Sequence, residues 1–150
     1  METSKHLMFE CKFAQYVWKS CYLWLGEVRV LLPSNCFDHF WQHGGGLNRN
    51  KSILAWWSVW AAMVWGIWTQ RHDIKFNMKN IDSEGVLDAA KYKAWSWCKA
   101  YFRNFDASLY VWNLQPLDCL HYIEWILIQR GRNRLEMTLF DEGKLMQGIV

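Results

Sequence analysis

Two residues near the start of the chain, His6 and Cys11, have types and a spacing (H-x4-C) that suit metal binding. A structural zinc ion needs four ligands, and a neutral imidazole and a thiolate supply two of them. The spacing is that of half a zinc knuckle, but no Cys pair precedes it in the sequence. We therefore expect a vestigial half-site, which would hold zinc only if a partner chain completed the four ligands.

A second possible metal group is Cys36, His39 and His43. The spacing i, i+3, i+7 places all three on one face of a helix, and His at i, i+4 is a known ligand spacing. No fourth ligand can be named, and short helices that end in glycine are often exposed. We therefore favour surface histidines over a metal site here.

Aromatic and basic residues suggest a different chemistry, the stacking of nucleic-acid bases. Five tryptophans lie close together in the sequence: Trp56, Trp57, Trp60, Trp65 and Trp68. Stacking platforms need basic residues among the rings, and none occurs from Ile53 to Trp68. We therefore expect core packing, with Trp60 and Trp65 as core residues. The basic segments 47–51 and 129–134 are typical of solvated loops, although they are able to contact phosphate.

The sequence contains no pattern that predicts catalysis. A Gly-rich phosphate loop, a G-x-S-x-G motif and an acidic set for two-metal chemistry are all missing from it. We therefore expect a protein that is not an enzyme and needs no cofactor.

Helical spacing dominates the elements that would position these residues. One apolar stripe within residues 11–25 ends at Gly26, a natural C-cap, and Ser34 or Asn35 can cap a short helix over 36–43. Asp82 or Ser83 caps a later helix. The first stripe comprises Phe13, Tyr16, Val17, Cys21, Trp24 and Leu25, and the later one Leu87, Ala90, Ala94, Cys98, Tyr101 and Phe105.

The most apolar segment, residues 52–76, is predicted to be a central buried helix. Its uncharged run from Ile53 to Trp68 is shorter than the roughly 20 residues that span a bilayer. A membrane anchor over 53–69 remains the alternative. Beyond Asp106 the pattern weakens, so SLYVWNLQPLDCL is read as extended or looped, HYIEWILIQ as strand or short helix, and the rest as a mobile tail.

These elements predict an all-α fold of about four helices around a Trp-rich central helix, followed by an irregular C-terminal tail. Residues 1–105 would form the helical domain and 106–150 a loosely structured extension. The apolar fraction of 52% supports a globular core, and the net charge of +3 is too small to imply nucleic-acid binding alone. No secretory signal is evident, so the five cysteines are expected to be reduced in an intracellular protein.

Several of these segments together resemble a known family. ETSKHLMFECKFAQYVWKSCYLWLG, then PSNCFDHFWQH, then VWGIWTQRHDIKF resembles the zinc-binding module near the C-terminus of plant LINE-type (non-LTR) reverse transcriptases. The matching residues are His6, Leu7, Phe9, Cys11, Ala14, Val17 and Trp18, followed by Ile67, Trp68, Arg71 and Phe76. The match covers residues 2 to about 105, and more loosely the WNLQPLDCL segment. The Cys pair and the polymerase and endonuclease domains are absent, so the resemblance implies a truncated copy.

The resemblance implies a retrotransposon-derived, non-catalytic fragment that is inert or serves as a binding module. In the intact family this region is thought to help engage template RNA or target DNA. Residues from about His121 onward match nothing in the family. The alternatives are a membrane-associated protein anchored by 53–69 and a protein-interaction adaptor with exposed aromatics.

Overall fold

A computed structural model describes residues 3–26, 35–43 and 53–147, and the side chains among them up to residue 134, except that of Ile53. All regular structure in these ranges is helical, which confirms the predicted all-α class. A π-helical turn, His6–Glu10, precedes six α-helices. These are α1 (Lys12–Leu25), α2 (Cys36–His43), α3 (Ile53–Asn77), α4 (Ser83–Tyr101), α5 (Leu109–Leu114) and α6 (Pro116–Gln147).

The helix ends follow from local side-chain chemistry. Helix α1 ends at Gly26, whose φ of 71° is the left-handed conformation that glycine adopts without a Cβ clash. Asn35 Oδ1 accepts the Asp38 N–H at 2.9 Å, at the start of α2. Asp82 caps α4 by accepting the Gly85 N–H at 2.8 Å, and Ser108 caps α5 in the same way. Segment 44–52, which includes the Gly triplet and the basic stretch 47–51, lies outside the described residues.

Helices α3 and α4 form the most extensive helix pair in the described chain. Gly66 permits their close approach, because a Cβ at this position would lie 3.1 Å from Val86 Cγ1. The core beside this pair takes its largest fully buried side chains from several helices and from the segment between α4 and α5: Leu25, Trp56, Met63, Ile67, Phe105, Trp112, Leu120 and Ile123. Cys21 of α1 and Cys98 of α4 are also completely buried.

The predicted irregular C-terminal tail is wrong, because α6 runs for 32 residues, or about 48 Å, to Gln147. The preceding segment is also helical rather than extended. Pro116 opens α6, at a helix start where its missing N–H costs no hydrogen bond. Trp112, Leu120 and Ile123 pack into the same core as the earlier helices. The basic segment 129–134 lies on α6 and not in a loop.

The predicted apolar stripes are only partly confirmed. Val17, Cys21 and Leu25 are buried, whereas Tyr16 and Tyr101 are exposed. Trp18 and Tyr22, absent from the predicted stripe, are buried instead. Among the described helices, none combines the length and hydropathy needed to cross a bilayer.

Candidate functional site

Both residues of the predicted zinc half-site make local structural contacts. Cys11 is the N-cap of α1, where its Sγ accepts the Ala14 N–H at 3.4 Å. The Cys11 thiol also donates to the Leu7 carbonyl at 3.6 Å. His6 Nδ1 lies 3.8 Å from a Glu10 carboxylate oxygen on the exposed surface. Cys11 therefore has a role in starting a helix that requires no metal.

Glu10 is held mainly by a different neighbour, Lys5. The Lys5 ammonium lies 2.9 Å from the Glu10 carboxylate, and this hydrogen bond lowers the pKa of Glu10 below its usual value. Within the described part of the chain, no three His, Cys, Asp or Glu side chains form a group suited to hold a metal ion.

We expect Cys11→Ser to leave both the free energy of unfolding and the metal content unchanged, because a serine hydroxyl caps a helix at least as well as a thiol. Cys11→Ala removes the cap and should lower stability by about 0.5–1 kcal/mol. Thermal melts and native mass spectrometry, each with and without chelator, measure both effects. A zinc ion shared by two chains and lost on Cys11→Ser would contradict the vestigial interpretation.

The histidines of α2 are buried, so the prediction that they lie on an exposed helix is wrong. His39 and His43 are 2% and 1% exposed. His43 Nε2 lies 2.8 Å from the Trp56 carbonyl, which only accepts, so Nε2–H is the donor. His43 Nδ1 and the Tyr22 hydroxyl form a second hydrogen bond, of 2.9 Å. His43 thus joins α2 to α1 and α3.

His39 makes a second link between α2 and α3. Its Nδ1 accepts the indole N–H of Trp60 at 2.8 Å. The rings of Phe9 and Trp18 lie 4.5 and 4.3 Å from the imidazole, centroid to centroid. Burial among these rings lowers the pKa of His39 to about 4. Three of the four ring nitrogens of His39 and His43 are therefore used in hydrogen bonds that join the three helices.

The outer surface of α3 carries a stripe of rings that we call the aromatic ladder: Trp65, Trp68, His72 and Phe76. Trp65, Trp68 and Phe76 are 39%, 56% and 64% exposed. Trp68 stacks on His72 with ring centroids 5.5 Å apart, and His72 lies 4.7 Å from Phe76. These steps are i, i+4, so the rings lie on one side of the helix.

Lysines accompany the aromatic ladder. Lys93 of α4 places its ammonium 4.7 Å above the Trp65 ring, and Lys75 lies 5.4 Å from the Phe76 ring. The sequence alone suggested that basic residues were missing from the Trp-rich segment. Helix α4 supplies such a basic residue, Lys93, and its position over the Trp65 ring is visible only in the fold.

The prediction that Trp60 and Trp65 are core residues is wrong for Trp65, which belongs to the exposed ladder. Trp60 is partly buried and packs against the core. The fully buried tryptophans are Trp56 and Trp112. Because α3 is apolar on every side, its sequence does not indicate which rings face inward.

A groove of about 570 Å³ runs beside Trp65, between α3 and the start of α4. Its polar groups bond mainly to one another. Lys79 lies 2.7 Å from the Asp73 carboxylate, and the Gln70 amide donates to the Asn80 carbonyl at 2.8 Å. The Lys79 and Asn77 hydrogen bonds lower the pKa of Asp73, which makes it a poor proton acceptor. These polar groups of the groove are thus already paired with one another.

No protein-family model matches the chain, and neither the curated proteins nor the solved structures include a significantly similar one. The chemistry of the surface is therefore the main guide to function.

Proposed function

We propose that the chain is a non-catalytic binding module that holds single-stranded nucleic acid on the aromatic ladder. The observation that carries this proposal is the row of exposed rings on α3, with the Lys93 ammonium over Trp65 at its end. Unpaired bases stack on exposed aromatic rings whatever their sequence, and lysines close to the rings attract the phosphates. The combination fits a ligand that offers flat apolar faces and negative charge together.

The resemblance to the reverse-transcriptase module supports the same proposal. Trp68 and Phe76 are among the matching residues, yet both side chains face solvent. Ile67, another matching residue, is completely buried and needs no explanation beyond core packing. Two exposed aromatics in the matching segment are consistent with a retrotransposon-derived domain that contacts template RNA or target DNA.

A protein partner is the second candidate, and a separate surface favours it. Phe37 and Trp41 of α2 are 63% and 41% exposed and lie edge to face, with centroids 5.9 Å apart. Large exposed aromatics of this kind are enriched at protein interfaces. No described lysine lies over these two rings, in contrast to Trp65. An apolar surface of a partner protein therefore suits them better than the phosphates of a nucleic acid.

We expect Trp68→Ala to weaken the binding of oligouridine by about 5- to 160-fold, because stacking on one ring contributes about 1–3 kcal/mol. Fluorescence anisotropy of a labelled strand of about 12 nucleotides measures the dissociation constant. Tyr101→Ala is the matched control, since Tyr101 is 78% exposed but lies outside the ladder. Equal affinities for wild type, Trp68→Ala and Tyr101→Ala would contradict the proposal.

The salt dependence of oligonucleotide affinity is an independent test of the lysines beside the aromatic ladder. Changing Lys75 and Lys93 to Gln should reduce the slope of log affinity against log salt concentration by about 0.7 for each lost phosphate contact. If the oligonucleotide does not bind, while Phe37→Ala abolishes capture of a protein partner, the second candidate is favoured.

A further inference from the structure

The outer face of α6 carries large apolar side chains that no part of the described structure covers. Tyr122, Trp125 and Ile128 are 45%, 55% and 52% exposed, and the rings of Tyr122 and Trp125 stack with centroids 6.0 Å apart. The opposite face of the same helix, with Leu120 and Ile123, is buried in the core. This helix is therefore apolar on two sides, although only one side packs against other residues that the structure describes.

Opposite charges flank the exposed apolar face. Asp118 and Arg132 stand seven residues before and after Trp125, and both are exposed. At about 100° per residue, Asp118 and Arg132 lie within about 20° of Trp125 around the helix, and Tyr122 and Ile128 within about 60°. The face therefore begins with a negative residue, has Trp125 at its centre and ends with a positive residue.

We propose that this face binds a second copy of the chain, with the two α6 helices antiparallel about a two-fold axis at Trp125. In that register Trp125 meets Trp125 of the second copy, and Tyr122 meets its Ile128. Asp118 then meets Arg132 of the second copy at one end, and the two-fold axis repeats that pair at the other. Antiparallel packing thus covers the exposed apolar residues and pairs Asp118 and Arg132 of each copy with those of the other.

Charge complementarity selects this arrangement over the parallel one. Parallel helices in register would place Asp118 against Asp118 and Arg132 against Arg132, which repel.

The contact covers 15 residues from Asp118 to Arg132, about 21 Å of helix, so it is smaller than a standard interface. We therefore expect a reversible dimer with a micromolar dissociation constant. The dimer uses a different helix from the aromatic ladder and does not depend on nucleic-acid binding.

A charge swap tests the register directly. In sedimentation equilibrium from about 1 to about 200 µM, Asp118→Arg and Arg132→Asp should each weaken dimerisation by at least about tenfold, because each creates two like-charge contacts. The double variant restores both pairs with reversed signs and should recover wild-type association. Tyr101→Ala, an exposed change on another helix, should leave it unchanged.

A cysteine on the two-fold axis supplies a second measurement. Trp125→Cys brings two thiols together across the axis, and mild oxidation should give a disulfide-linked dimer, whereas a cysteine at Tyr101 should not. A wild-type chain that stays monomeric throughout the concentration range would overturn the proposal. A double charge variant that fails to recover association would overturn the antiparallel register.

Discussion

Trp112→Ala is expected to lower the free energy of unfolding by about 3–5 kcal/mol, enough to unfold a marginal domain. The indole of Trp112 is completely buried, and its N–H donates to the Lys91 carbonyl of α4 at 3.0 Å. Its ring lies edge-on to Trp24 and Phe105, with centroids 5.5 and 6.0 Å away. Loss of the ring would leave a cavity where α1, α4 and α5 meet. Urea titration followed by circular dichroism measures the change.

The matched control is Tyr110→Ala on the same helix, because Tyr110 is 73% exposed. It should change stability by less than about 0.5 kcal/mol. If Trp112→Ala were as mild as Tyr110→Ala, residues 109–114 would not belong to the cooperative core.

Acid should destabilise the protein through His39. Burial lowers the pKa of His39 to about 4 in the folded chain, whereas the unfolded chain has an ordinary histidine pKa near 6.5. Below pH 6.5 the unfolded state binds a proton that the folded state does not, so stability falls as the pH falls towards 4. The stability that depends on a neutral His39 is fully present above pH 6.5. About 2 kcal/mol of the free energy of unfolding should be lost between pH 7 and pH 5.

His39→Gln should remove this part of the pH dependence, because glutamine does not titrate and its amide oxygen can still accept the Trp60 N–H. The same change at His121, an exposed residue, should leave it in place. Urea titrations at pH 5, 6 and 7 compare the three proteins. A parallel fall in stability in wild type and His39→Gln would show that other groups cause it.

The helices with clear end signals could be predicted from the sequence. Gly26 and Asp82 act where their chemistry requires, at the end of α1 and the start of α4. The C-terminal part has a weak apolar pattern at its start, because α5 has six residues and buries only Trp112. Pro116 suggested a break, but it marks the first residue of a long helix.

The candidate surfaces depended on tertiary contacts that no local pattern encodes. His39 and His43 are buried because rings from α1 and α3 surround them, far away in sequence. Trp65 is exposed on a helix whose periodicity does not distinguish inside from outside. Lys93 reaches the Trp65 ring from α4, 28 positions later in the chain.

The completely buried thiols of Cys21 and Cys98 have a consequence for reactivity. Burial raises the pKa of both, that of Cys98 to about 12, so neither forms the nucleophilic thiolate while the helices remain packed. Alkylation of either one must wait until α1 or α4 separates from the core. Cys11 and Cys36 are only half-buried, so a reagent can reach their thiols without separating the helices. In the presence of an alkylating reagent, the rate at which Cys21 or Cys98 is modified therefore reports how often its helix separates from the core.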